Sequence, residues 1–262
     1  MIHLINKFKT KLDFFLNCIE FPDFIFFDIE QLLSFVYFYD MKNTFIFFTF
    51  VISISLFGQN LPEGFIYLSS IDKTIKTELR YFGENNFIGR KIEGYNDNRV
   101  IVHKETGDAL HRVQQDLLKK GLSLKIFDAY RPQRAVNHFV RWAKVLKDTL
   151  MKKEYYPNVK KSELFKQGYI SSKSGHSRGS SVDLTIVNVN TGKELDMGSP
   201  FDFFGTESHP HYEKIGIDHK KNRFLLRKVM IENGFRPYKN EWWHFTLKNE
   251  PFPHTYFNFP IK

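Results

Sequence analysis

The sequence predicts an α+β fold: a single compact domain with a central, mainly antiparallel sheet flanked by helices, preceded by a segment resembling a signal peptide. Three observations carry that expectation. Helical and strand-like apolar patterns alternate irregularly beyond Gly58, the gaps between them are of hairpin length, and no repeat or low-complexity tract interrupts them.

Taken in order, the first 58 residues are a region apart. They hold 14 of the 29 phenylalanines and a net charge of −2, so the other 204 residues carry +11. Thr44 to Phe57 is a run of fourteen uncharged residues directly behind Met41-Lys42-Asn43. It is short for a membrane span of about twenty residues and suits the apolar region of a secretory signal, with small Gly58 at its end. Residues 41–58 are therefore read as a signal peptide starting at Met41, and residues 1–40 as an upstream over-read or disordered extension. Residues 59–262 form the mature domain, exported to the periplasm and not inserted in the membrane after signal removal.

In that domain Leu110, Val113, Leu117 and Leu118 recur at helical spacing over 108–120, and Gly121 supplies a stop. Leu122, Leu124 and Ile126 then alternate with Ser123, Lys125 and Phe127, as in a strand. Arg131-Pro132 opens a second helix, with proline in the first turn and Val136, Phe139, Val140, Ala143 and Leu146 as the apolar stripe. A third helix over roughly 221–233 ends at Gly234, and Trp243 to Leu247 reads as a late strand.

A charge of +11 permits attraction to polyanions, but no Lys/Arg block of five or more occurs, so the basicity is read as a solvated surface and nucleic acid is not expected as a partner. The single cysteine, Cys18, excludes an intrachain disulfide and cysteine chemistry, leaving nitrogen and oxygen to hold any metal.

Three clusters can carry chemistry. In Ser174-Gly175-His176-Ser177-Arg178-Gly179-Ser180-Ser181-Val182-Asp183, small residues separate a histidine from an aspartate that begins an apolar strand. Imidazole and carboxylate suit zinc, whose catalytic sites use three protein ligands and leave a fourth position to water. Alone, the pair equally describes a turn with a structural contact. Glu241-Trp242-Trp243-His244 adds a third ligand and, three residues away, a base for a metal-activated water, although by itself it also fits an aromatic core strand with a surface glutamate. Jointly the two segments hold the inventory of a zinc hydrolase. In Phe127-Asp128-Ala129-Tyr130-Arg131-Pro132, Arg131 sits between a buried strand and a helix start, where a guanidinium either stabilises an oxyanion or pairs with Asp128. His209-Pro210-His211 reads as a loop or as support behind the ligands. His103, His111, His138, His219 and His254 read as ordinary surface or helix positions.

At these motifs the sequence resembles the D-alanyl-D-alanine dipeptidases of the vancomycin-resistance type. That zinc peptidase family also contains D,D-carboxypeptidases and shares its metal-site design with hedgehog signalling domains. The resemblance runs from Tyr81 to Lys262 through DAYRP at 128–132, SGHSRGSSVDLTI at 174–186, MGSPFDFFGTESH at 197–209, EWWHF at 241–245 and the closing EPFPHTYFNFPIK. It implies one zinc ion held by His176, Asp183 and His244, with Glu241 as general base and acid and Arg131 steadying the tetrahedral intermediate. It further implies that Asp202 and Tyr81 hold the substrate's free amine, a role for which Asp196 competes with Asp202, and that Ser174 lies near the substrate's carboxylate end. The sequence departs from the pattern at Gly175, a serine in some relatives, and matches sparsely over 81–89. The expected activity is zinc-dependent hydrolysis of the small dipeptide D-Ala-D-Ala in cell-wall peptide metabolism. The alternatives are a D,D-carboxypeptidase trimming peptidoglycan stem peptides and a non-catalytic metal-containing binding module; Glu241 and Arg131 speak against the latter.

Overall fold

A computed structural model of the chain describes residues 61–262; the expected extension 1–40, the signal peptide 41–58 and Cys18 lie outside the described residues. The strands are β1 (Phe65–Tyr67), β2 (Lys76–Thr77), β3 (Ile101–His103), β4 (Leu122–Asp128), β5 (Ser181–Asn188), β6 (Phe235–Pro237) and β7 (His244–Leu247). The helices are α1 (Lys104–Leu118), α2 (Gln133–Lys144), the single turn α3 (Lys152–Tyr155) and α4 (Ile217–Glu232). Five strands form a sheet of order β2-β4-β5-β7-β6, and β1 pairs with β3 in a separate ribbon. Only β2, against β4, runs parallel in the large sheet. The expected α+β class with a mainly antiparallel sheet is therefore the observed one.

The sheet's centre is buried on both faces, which corrects the expected alternation in β4. Ser123 and Phe127 are buried along with Leu124 and Ile126. A buried hydroxyl needs a partner, and Ser123 Oγ accepts from Gln114 Nε2 on α1 at 2.9 Å, while Gln114 Oε1 accepts the Leu124 N–H at 2.8 Å. Alongside these bonds α1 buries Ala109, Leu110, Val113 and Leu117; each large side chain so removed from water contributes about 1.5–3 kcal/mol.

Helix boundaries differ from the pattern where tertiary contacts decide them. Helix α1 begins at Lys104 rather than 108, its first turn held by buried Thr106 and Gly107. Gly107 has no side chain to signal periodicity, yet a Cβ there would lie 3.1 Å from Ile66, so it is a packing position. Pro132 is the N-cap of α2, with φ −60° and ψ 146°, rather than part of its first turn. That helix stops at Lys144 because Lys161 Nζ captures the carbonyl of Val145 at 2.8 Å and that of Asp148. Leu146 is left 55% exposed, outside the stripe assigned to it. Helix α4 starts at Ile217, ends at Glu232 and is followed by Gly234 at φ 93°. No helix among the described residues is long and apolar enough to cross a membrane.

Candidate metal centre and active site

The site is built on one row of the sheet. Asp128 on β4 faces Asp183 on β5, and Asp183 in turn faces His244 on β7. A register shift between Ile126 and Asp128 sets two β4 residues against one on β5. Without that bulge Phe127, not Asp128, would stand beside Asp183, and bulges re-aim side chains in this way. His176 arrives from a short 3-10 turn, Gly175–Arg178, whose N-cap Ser174 accepts the His176 N–H at 3.3 Å. Arg178 locks the turn from behind through a bidentate pair with Glu250, at 2.7 and 2.9 Å.

His176 Nε2 lies 3.1 Å from His244 Nδ1 and 3.3 Å from Asp183 Oδ2, and His244 Nδ1 is 3.0 Å from Asp183 Oδ1. These three residues form a cluster with one ligand atom from each within 4.8 Å of the others. The donor set fits a divalent metal ion: two nitrogens and a carboxylate converge, and each imidazole has its other nitrogen occupied. His176 Nδ1 donates to the Ala129 carbonyl at 2.7 Å, which directs Nε2 inward. His244 Nε2 contacts Thr246 Oγ1 at 3.3 Å, and that hydroxyl meets Ser181 Oγ at 2.8 Å. Gly175 belongs to this arrangement, since a Cβ there would sit 2.6 Å from Ser181 Oγ.

Electrostatics agree with a cation-accepting site. Burial lowers the His176 pKa, favouring the neutral imidazole that a metal needs. Burial alone would raise Asp183, but the His176 and His244 imidazoles hold its carboxyl well below the usual range. Glu241 keeps 28% of its side chain exposed, with Oε2 3.8 Å from His244 Nδ1. Enclosure and the nearby Asp183 outweigh His244 and Arg131 and push its carboxyl up to about 7.

A cavity of 310 Å³ opens over the cluster and is lined by Tyr81, Arg131, Ser174, Asp202 and Glu241 as well as the three clustered residues. That volume is near the lower end for ligand sites and selects small molecules. Arg131 donates from Nε to Asp128 Oδ2 at 2.8 Å and from Nη2 to Asp183 Oδ2 at 3.3 Å, with its guanidinium 4.9 Å from the Tyr81 ring centroid. It is thus both the ion-pair partner of Asp128 and a cation at the cavity wall. Tyr81 Oη donates to Asp202 Oδ2 at 2.8 Å. Burial, then the charge of Asp183, drives the Asp202 carboxyl well above its normal range, so it ionises readily only beside a new cation. Asp196 pairs with His219 at 3.2 Å, is 75% exposed and does not line the cavity, whereas Asp202 does.

Of the histidines read as ordinary positions, His103 is a correction. It is buried at the end of β3 between Phe65 and Phe252, because the strand leads into the core before α1 turns away. His209 and His211 stay outside the cluster; the His209 carbonyl accepts from Arg223 at 2.7 Å. Thr246, Ser181 and Arg223 support the site without standing out by residue type in the sequence. The last had a usable signal, a cation at i relative to buried Leu226 and Met230 at i+3 and i+7 of one helix.

Fold and pocket together define an α+β protein with a three-residue cluster, its donor atoms suited to a metal ion, beneath a small polar cavity. The D-ala-D-ala dipeptidase family matches this chain over residues 62–262. The D-alanyl-D-alanine dipeptidase of Enterococcus faecalis is 41% identical over 201 residues, which cover 77% of this chain and 100% of that relative. That of Streptomyces coelicolor is 40% identical over 201 residues, with the same coverage of 77% and 100%. Among solved structures, the LdcB LD-carboxypeptidase is similar at 17% identity, over 74% of this chain and 72% of that one, with a TM-score of 0.40. The chain belongs to the D-ala-D-ala dipeptidase family and is a hydrolase.

Proposed function

We propose that this protein hydrolyses D-Ala-D-Ala with one zinc ion held by His176, Asp183 and His244, in cell-wall peptide metabolism. The observation that carries the reading is the convergence of those three residues, 3.0–3.3 Å apart, in the same cavity as Glu241, Arg131 and Asp202. Zinc bound there supplies a Lewis acid that polarises the scissile carbonyl and acidifies water. Glu241, with a carboxyl pushed up to about 7, takes the proton of the attacking water and returns it to the leaving amine nitrogen. Arg131, fixed by Asp128, faces the charge that develops on the carbonyl oxygen. Asp202 and Tyr81 receive the substrate ammonium, and Ser174 lies toward the carboxylate end. An amine pocket floored by a buried carboxylate excludes chains extended at that amine, which favours the dipeptidase over the carboxypeptidase. The uncharged run at 44–57 supports export to the periplasm.

The test is alanine release from D-Ala-D-Ala by the purified zinc-loaded protein. Glu241→Ala should keep its metal and lose most turnover. A Glu241→Ala protein with wild-type turnover overturns the mechanism.

A further inference from the structure

The loop 197–209 carries Asp202 between β5 and α4, and its backbone is held in an uncommon shape. Asp202 has φ 62°, the sole positive value outside glycine among the described residues. A non-glycine residue there costs of order 1 kcal/mol and persists only where the surroundings enforce it. The Tyr81 hydroxyl reaches the Asp202 carboxylate but no backbone group of the loop. Something else must close the loop.

Arg223, on the inner face of α4, is 4% exposed and binds only neutral acceptors. Its Nε donates to the Met197 carbonyl at 2.5 Å, and its Nη2 donates to Ser199 Oγ at 3.2 Å, both on the arm that enters the loop. Nη2 also donates to the Glu207 carbonyl at 2.8 Å, and Nη1 to the His209 carbonyl at 2.7 Å, both on the arm that leaves it. One planar fork therefore ties together the two ends of the segment with Asp202 at its bend. Trp242 reinforces the same ends: its Nε1 donates to Ser199 Oγ at 3.0 Å and its backbone N–H to the Ser208 carbonyl at 2.9 Å. Trp242 immediately precedes Trp243 and is two residues from His244, so the clamp also joins the loop to the strand that bears a metal-cluster histidine.

A buried guanidinium is costly unless its donors are used. Burial lowers the Arg223 pKa to about 10, which still leaves it charged at neutral pH. A hydrophobic residue would suit the helix stripe better, because Leu226 and Met230 follow the position on the same face. The cation is accounted for by the loop it holds.

We propose that Arg223 is a positioning residue for substrate selection: by cross-linking both arms of loop 197–209, it fixes the Asp202 carboxylate where the free ammonium of the dipeptide must sit. This rests on the amine role proposed for Asp202. Lysine at 223 keeps the charge but cannot reach both arms, and methionine keeps the bulk alone.

The experiment compares kcat/KM for D-Ala-D-Ala with that for N-acetyl-D-Ala-D-Ala, which has no ammonium, in wild type, Asp202→Asn, Arg223→Lys and Arg223→Met. Wild type should prefer the free amine, and Asp202→Asn should remove most of that preference. Arg223→Met should lower the ratio at least tenfold through KM for the free amine, with the acetylated rate within about twofold of wild type, and Arg223→Lys should fall between. A general folding defect would instead reduce both substrates together. Parallel losses in both Arg223 variants, or an unchanged ratio, overturn the role of Arg223. If Asp202→Asn itself keeps the wild-type ratio, the amine reading fails, a result distinct from loss of the ratio in Asp202→Asn with retention in Arg223→Met.

Discussion

Asp128 and Asp183 stand in facing positions on β4 and β5, both buried, and Arg131 bridges them with Nε 2.8 Å from one carboxylate and Nη2 3.3 Å from the other. Two carboxylates this close are tolerated because one cation serves both, and Tyr95 Oη donates to the far oxygen of Asp128 at 2.6 Å. Removing Arg131 should therefore affect folding as well as the proposed chemistry. Arg131→Ala should destabilise the protein by about 3–5 kcal/mol in urea unfolding, because it leaves buried charge uncompensated. Arg131→Lys keeps the charge without the fork, so its stability loss should be smaller while kcat still falls about a hundredfold or more. Wild-type kcat in the lysine variant would remove Arg131 from the reaction.

Metal affinity should appear as stability. A ligand that binds only the folded state at about a thousand times its Kd adds about 4 kcal/mol. Thermal melts of chelator-treated protein with and without zinc should show a rise in Tm for wild type and for Glu241→Gln. His176→Ala should lose that rise, since His176 supplies one of only three ligand atoms in the cluster. An equal zinc-dependent shift in His176→Ala would place the ion elsewhere.

As the proposed base, Glu241 should set a pH dependence whose sign follows from that role. The protein groups alone put its carboxyl at about 7, raised chiefly by burial. A dication beside it favours the carboxylate and moves the value down. The base works deprotonated, so kcat/KM should fall as pH drops through that pKa, with the midpoint of the acid limb below about 7. Glu241→Gln should lower kcat about a hundred- to ten-thousand-fold, and its residual rate should lack this limb. The same limb persisting in Glu241→Gln would assign it to another group.

The chemistry of the site was more legible in the sequence than its scaffolding. His176, Asp183, Glu241 and His244 announce themselves by residue type within short motifs, and the structure gathers His176, Asp183 and His244 into one cluster. The alignment that brings them together depends on strand register and on the β4 bulge, which arise from pairing between residues 55 positions apart. Local periodicity carries no record of such pairing. The starts of α1 and α4 lie outside the apolar repeat: α1 opens on buried Thr106 and Gly107, and α4 opens on the largely exposed turn 217–220, so neither first turn belongs to an apolar stripe. Arg223 was overlooked because a helix cation defaults to the solvated face, and only its position in line with Leu226 and Met230 points inward.

Substrate length is the property that separates the dipeptidase from the carboxypeptidase. In a cavity of 310 Å³, the carboxylate proposed for the amine is 6% exposed and its partner Tyr81 only 1%, with Phe87 and Phe204 buried in the same lining. A chain extended beyond the amine would have to displace these side chains and replace an ammonium with an uncharged amide beside a carboxyl that burial already makes hard to ionise. Both penalties act on longer peptides alone. The kcat/KM for a stem pentapeptide should therefore lie at least about a hundredfold below that for D-Ala-D-Ala, as expected for 2–5 kcal/mol of lost charge pairing plus steric cost. Asp202→Asn should weaken dipeptide cleavage without rescuing the pentapeptide, because the aromatic wall remains. Equal cleavage of both substrates by the wild-type protein would open the amine side and make the enzyme a carboxypeptidase.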